Sequence, residues 1–320
     1  MEKTHPPEQS KRFRRPRIMK PLLGAAVAAA LLIGADAATR PWLRPTGPYS
    51  WVDAKRTWEG GLRIIPDPVL GYIPAPGQSA AALIHKLDGR VLSSAVYSID
   101  RHSRRITPGQ QSGRRDRPLL FFGCSFTFGF GVDDDQTLPH DFARLAPAYR
   151  VYNYALLGYG PQNMLARLKE TDIRSEIPET GKAVAVYVFI DDHVRRAIGS
   201  MTWTATSQFD LPYYFARSPS GDLTRRGTFD TGRPVVTALY RLAAKSAVVR
   251  HFAVEFPPET TDAHLELTAR MIAESRDAFK EKFGSDEFYV LFFPEVPDTV
   301  DSRLAPMLRA RGIRSLEYDA

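Results

Sequence analysis

Hydrophobic and polar positions change rhythm once along this chain. From Arg117 onward, near-continuous apolar runs alternate with segments whose apolar positions recur every three to four residues. The runs are PLLFFG after Arg117, YRVYNYA (Tyr149 to Ala155), AVAVYVFI (Ala183 to Ile190), EFYVLFF (Glu287 to Phe293) and IRSLEY (Ile313 to Tyr318). Rich in β-branched and aromatic residues and lacking polar alternation, they predict strands buried on both faces. The periodic segments predict helices: PQNMLARLKETDI from Pro161, VTALYRLAAKSAVVRHF from Val236, HLELTARMIAESRDAFKEKF from His264 and SRLAPMLRARG from Ser302. Strand alternating with helix implies right-handed crossovers, a parallel sheet and helices on both of its faces. The expected fold is therefore α/β, a three-layer α/β/α sandwich around a mainly parallel five-stranded sheet.

Upstream, residues 39–115 are rich in Pro and Gly, with short alternating runs such as RVLSSAVYSID (Arg90 to Asp100) that suit strands and turns. They read as a linker and a small β-rich extension preceding an α/β domain at 116–320. One segment interrupts the later rhythm: Met201 to Phe229 carries many aromatics and a Ser-Gly-Asp turn, which predicts a hairpin. Two roles fit it, a lid over the site or a cover on the sheet.

Charge and the N-terminus change the picture. The 320 residues carry a formal charge of +7. Most of that excess sits in the first twenty positions, where Lys3, Lys11, Arg12, Arg14, Arg15, Arg17 and Lys20 face only Glu2 and Glu8. The remainder is close to neutral, so the charge is no argument for nucleic acid. The basic leader runs into the uncharged PLLGAAVAAALLIGA, Pro21 to Ala35, which would span about 22 Å as a helix against a bilayer core of about 30 Å. A positive start, an apolar stretch and a small-residue site at Ala35-Asp36-Ala37 read as a signal peptide, or as an uncleaved anchor within residues 1–38. A buried core helix is the alternative, but core helices seldom follow so many basic residues at a chain start. The body of the protein is expected outside the cytoplasm, periplasmic or secreted, with residues 21–38 as its possible attachment to the inner membrane. A single cysteine, Cys124, rules out an intrachain disulfide and leaves the redox compartment open.

The chemistry gathers where the first strand stops, at FFGCSFTFGFGVDDD. In open parallel sheets, ligands collect at the carboxyl ends of strands, and Ser125 follows Gly123 at such an end. The stretch is not a Gly-x-Ser-x-Gly elbow, because Thr127 stands in place of the second Gly. It resembles the first conserved block of the SGNH hydrolase superfamily, the GDSL-type esterases and their O-acyltransferase relatives. That block, Gly-Asp-Ser-x-Thr-x-Gly, is matched by Gly123, Ser125, Thr127 and Gly129, with Cys124 in place of Asp. The resemblance implies that Ser125 is a nucleophile. A second block, spaced Asn-x-x-x-x-Gly, is matched by Asn153 and Gly158, and it implies that the Ser125 and Gly158 amides are oxyanion donors.

The third block, usually Gly-x-Asn-Asp, aligns with Phe189-Ile190-Asp191-Asp192, followed by His193. An ionised Asp191 accepts hydrogen bonds and cannot donate one, so the third oxyanion donor is missing unless His193 or a protonated carboxyl supplies it. The family's base is an Asp-x-x-His shortly after the fifth strand. None lies near Ala320, so three readings stay open: the sequence stops short of its base, the base comes from elsewhere, or the enzyme is degenerate. His193, following a strand at the same sheet edge as Ser125, is the best internal candidate for base or oxyanion donor. Asp100-Arg101-His102 has the Asp-x-His spacing of alginate-type O-acetyltransferases, and a solvated turn explains it as well. Cys124, aligned with a position that is not nucleophilic, reads as a small buried residue. Asp133, Asp134 and Asp135 lack the alternating ligands of a calcium loop and read as caps for the helix near Leu138.

The resemblance implies serine acyl transfer on an acyl ester, with envelope polysaccharide or lipid esters as the substrate class, no cofactor and no metal. The rival is a non-catalytic binding protein that keeps the fold.

Overall fold

A computed structural model describes residues 33–47, 58–85, 91–111, 113–207, 211–218, 222–293 and 300–316, with Leu31 and Tyr49. The basic leader and most of the apolar segment that follows it therefore lie outside the described residues. Among those described, no helix is long and apolar enough to cross a membrane.

The β-rich extension comes first. Strands β1 (Trp58–Gly60), β4 (Ser79–His85) and β5 (Val91–Ser98) form an antiparallel sheet in the order β1-β4-β5, and β2 (Ile64–Asp67) pairs antiparallel with β3 (Gly71–Pro74). Next come β6 (Arg117–Phe122), α1 (Ser125–Phe128), α2 (Leu138–Leu145), β7 (Tyr149–Asn153), α3 (Pro161–Glu170), β8 (Val184–Phe189), α4 (Asp192–Ile198) and α5 (Met201–Thr206). The hairpin β9 (Tyr213–Arg217) and β10 (Leu223–Thr228) precedes α6 (Phe229–Gly232), α7 (Pro234–Ala243), α8 (Ala247–His251) and α9 (Asp262–Phe283). The described chain closes with β11 (Phe288–Phe292), α10 (Asp301–Arg309) and β12 (Arg314–Leu316).

The five apolar runs form one five-stranded, all-parallel sheet in the order β12-β11-β8-β6-β7. Numbered along the chain this is the 2-1-3-4-5 order of flavodoxin-like sheets, whose binding crevice opens beyond the carboxyl ends of the strands near the first. Every residue of β8 is buried, as its unbroken VAVYVF requires. One face packs Leu120, Phe122, Ala185, Tyr187, Phe189 and Val290 against Met164, Leu265, Phe279 and Leu304 of α3, α9 and α10. The other packs Leu119, Phe121, Val151, Val186 and Val188 against Phe142 and Ala143 of α2. The three layers are present, and each large side chain buried in them contributes about 1.5–3 kcal/mol.

A third cluster ties the extension to this domain. Leu70, Tyr72, Ala82, Ala95, Tyr97 and Ile99 pack with Phe128, Leu156, Tyr159 and Ala166. The extension is thus built against the loops that follow β6 and β7, the loops expected to carry the chemistry.

Three local expectations need correction. The helix expected from Val236 is two helices: Ser246 caps the second by accepting the Val249 N–H, a serine preference that breaks an otherwise periodic run. Among the described residues, the hairpin does not cover the sheet. Its Phe215 packs with Leu165 of α3, Ala197 of α4 and Met271 of α9, so it lies outside the helix layer; the turn residues Pro219 to Gly221 are outside the described set. The acids at 133–135 do not cap the helix near Leu138, where Thr137 accepts the His140 N–H. Instead Asp133 accepts the Val96 N–H at 2.7 Å and Asp134 the Ser98 N–H at 3.1 Å, pinning β5.

Candidate active site

Ser125 is presented by a tight strand-to-helix turn. The chain leaves β6 at Gly123 with φ 154°, and a Cβ there would overlap the Thr127 hydroxyl and come within 3.2 Å of the Val188 carbonyl. The Gly and Thr of the motif are therefore packing partners, which explains their spacing. Phe128 N–H donates to the Cys124 carbonyl at 2.9 Å and Gly129 N–H to the Ser125 carbonyl at 3.0 Å, closing one turn of helix. Ser125 opens that turn half-buried, while Cys124 is only 1% exposed. No hydrogen bond engages the Ser125 hydroxyl among the described residues. A buried thiol beside a half-exposed, unengaged hydroxyl assigns any nucleophilic role here to the serine.

Two side chains that the sequence did not single out in this role hold the turn. Asn153, at the end of β7, donates from Nδ2 to the Thr127 carbonyl at 3.1 Å and accepts the Ala155 N–H on Oδ1. Arg105, from the extension, donates to the carbonyls of Phe128 (2.7 Å), Gly129 (2.5 Å), Val132 (2.7 Å) and Val96 (3.2 Å), and its Nε bonds Asp134 at 2.9 Å. Five acceptors meet one planar fork of donors, a task for which Lys has too few donors in the right plane.

Gly158 occupies the third position of a turn closed by Tyr159 N–H donating to the Leu156 carbonyl at 3.1 Å, with φ +77°. Such a φ is that of the third residue of a type II turn, where Gly is favoured. Its open side is filled by the extension: Tyr72 Oη lies 2.5 Å from where a Cβ would stand and donates to the Leu157 carbonyl at 2.6 Å. The space that the missing side chain leaves is therefore taken by Tyr72. The Gly158 amide stays at the carboxyl edge, since its loop follows β7, the neighbour of β6.

Asp191 and His193 follow β8, on the other side of β6. Ser125, Gly158, Asp191 and His193 thus come to the ends of three adjacent strands. Asp191 sits at the N-cap of α4 with its own polar partners, and Asp192 binds Arg196 through Nε (2.9 Å) and Nη2 (2.6 Å). Arg196 also donates to the Tyr159 carbonyl at 2.8 Å, joining α4 to the Gly158 loop.

His193 is not placed as a base. It is fully buried, stacked on Tyr187, and its Nδ1 is bonded to Tyr187 Oη at 2.8 Å while accepting the Ile190 N–H at 3.4 Å. Because a backbone N–H can only donate, Nδ1 is the acceptor and the proton of the neutral ring is assigned to Nε2. Burial, with Arg196 nearby, holds the imidazole well below its ordinary pKa. No lone pair remains to take a serine proton, whereas Nε2–H is buried without a partner among the described residues. These contacts correct the base half of the expectation.

The Asp-x-His alternative is a turn. The Asp100 carboxylate accepts the N–H groups of His102 (2.8 Å) and Arg104 (3.0 Å) and pairs with the Arg104 guanidinium at 2.7 Å. The His102 ring is bonded by Arg101 at 2.9 Å instead. Beside Asp191 opens a polar cleft of about 500 Å³, bounded by Asp192 and Arg195 on one side and Glu259, Thr260 and Arg303 on the other.

A serine at the first strand end, flanked by loops from both neighbouring strands, is now in view. Among solved structures, the chain is similar to an SGNH-hydrolase family esterase and to a carbohydrate esterase. AlinE4, an SGNH-hydrolase family esterase, aligns over 64% of this chain and 77% of its own at 12% identity, with a TM-score of 0.35. A carbohydrate esterase whose active site is described as displaying divergent catalytic and non-catalytic binding functions aligns over 83% of this chain and 89% of its own, at 11% identity and a TM-score of 0.31. No protein-family model matches the chain, and no curated protein matches it in sequence.

Proposed function

We propose that the chain is a serine-dependent acyl-ester hydrolase or O-acyltransferase acting outside the cytoplasm on envelope carbohydrate or lipid esters. The observation that carries this reading is the unengaged Ser125 hydroxyl, held half-exposed by a turn that Gly123, Thr127, Asn153 and Arg105 brace. Ser125 Oγ attacks the ester carbonyl, its proton passes to the departing alcohol oxygen as the C–O bond breaks, and the acyl group stays on the serine. Water as the second acceptor gives hydrolysis; a sugar hydroxyl gives transfer. The N–H groups of Ser125 and Gly158 hold the oxyanion, each contributing about 3 kcal/mol in the transition state. Asp191 cannot be a third donor while ionised, and the buried Nε2–H of His193 is the remaining candidate. The polar cleft beside Asp191 supports a hydroxyl-rich substrate.

One observation favours a second reading, a binding protein with this fold: the imidazole at the Ser125 edge, His193, has its acceptor nitrogen already occupied. A fluorophosphonate probe separates the two. The enzyme reading expects a covalent adduct on Ser125 in the folded full chain; a folded chain that is never labelled supports the binding protein.

A further inference from the structure

We propose that the helical pair α7–α8 lies on an anionic lipid bilayer, beside the point where the N-terminal apolar segment leaves it. The first observation is that α7 is inside out. Its buried residue is a threonine, Thr237, whose hydroxyl donates to the Phe229 carbonyl at 2.8 Å. Val235, Val236, Leu239 and Leu242 are instead in solvent, with Val235 70% and Leu242 64% exposed. Their spacing puts them on one face of the helix. The surface continues through α8 and the chain after it: Val248, Phe252, Val254 and Phe256 are all exposed, Phe252 to 69%. The two stretches meet where the Tyr240 ring of α7 faces Phe256 at 6.1 Å, and so many exposed apolar residues on neighbouring elements mark an interaction site.

The second observation identifies the occupant. The chain that emerges from the apolar segment runs alongside α8 and is bonded to it. Asp36 accepts the Ser246 hydroxyl at 2.5 Å and the Val248 N–H at 3.1 Å. Thr46 N–H donates to the Arg250 carbonyl at 3.0 Å, and the His251 ring to the Arg44 carbonyl at 2.7 Å. The described end of the apolar segment is therefore next to the apolar face. The described end of that segment does not cover the face, because Leu31 and Ile33 are themselves exposed, as is Trp42 at 77%. Tryptophan at the end of an apolar segment is an interfacial residue. Exposed Arg44 and Lys245, with Arg40 and Arg241 beside them paired to Asp36 and Asp230, put basic groups along the same face and match anionic headgroups. The inference shares the membrane reading of the N-terminus with the proposed function and is independent of Ser125.

The test reconstitutes the full chain, with Cys124→Ala, into vesicles of phosphatidylglycerol and phosphatidylethanolamine. Environment-sensitive labels are placed singly at Leu31→Cys, Leu242→Cys and Glu281→Cys, the last an exposed position on α9. The labels at 31 and 242 should shift to shorter wavelength and lose emission to spin-labelled lipid, while the label at 281 stays in water. Quenching at 31 without quenching at 242 overturns the docking and leaves the anchor standing; quenching at neither overturns both. A blue shift at 242 without lipid quenching, with a doubled particle mass in detergent, assigns the face to a second copy and also overturns the proposal.

Discussion

The Tyr72 hydroxyl stands over Gly158, 2.5 Å from the position of its missing Cβ, and donates to the Leu157 carbonyl at 2.6 Å. The extension thereby shapes the loop expected to hold an oxyanion. Gly158→Ala forces a left-handed alanine and a clash with Oη, and should cost about 2 kcal/mol or more. In a Tyr72→Phe background the clashing atom is gone and the same substitution should cost less. Urea unfolding of the four proteins measures the coupling; costs that simply add would separate the two residues.

Arg105 offers a more severe test. Replacing it with Lys leaves carbonyls at the end of α1 without donors, and each unsatisfied buried acceptor costs about 1–3 kcal/mol. Arg105→Lys should lower the melting temperature and slow acylation of Ser125. An unchanged melting temperature would show that the guanidinium does not brace the turn.

His193 gives the chain a pH dependence of definite sign. Its folded pKa is depressed by burial, with Arg196 nearby, so the unfolded chain binds a proton that the folded chain does not. The stability it contributes is complete above about pH 6.5 and is lost as pH falls below it, by up to about 1.4 kcal/mol per pH unit. His264, also depressed by burial, adds to the same slope. Unfolding between pH 7 and 5 should therefore flatten in His193→Gln relative to the parent, and parallel slopes would contradict a neutral buried imidazole.

Cys124 should be silent. A thiol reagent should leave it unmodified until the chain is denatured, and Cys124→Ala should keep acylation of Ser125. Rapid native modification would overturn the burial that assigns the chemistry to the serine.

The five strands were legible because their runs are buried on both faces and need no tertiary information. Ser125 was legible because it ends the first of them. The purposes of its neighbours were not. Gly123 answers to Thr127, and Gly158 to Tyr72, a partner far upstream in sequence; spacing along the chain reports neither contact. The brace from Arg105 likewise joins residues more than twenty positions apart. His193 left a fainter signal: with Val194 and Ala197 it falls on the inner face of α4, so its burial could have been read from periodicity. Thr237 left no signal, since a periodic apolar pattern does not say which face is covered, and in α7 the apolar residues face outward.

The most direct test of the account is mass spectrometry of the folded full chain after treatment with a fluorophosphonate. A single adduct on the peptide containing Ser125, abolished by Ser125→Ala and retained in Cys124→Ala, is the predicted result. No adduct on Ser125, in a chain whose melting transition shows it folded, would contradict serine acyl chemistry at this site.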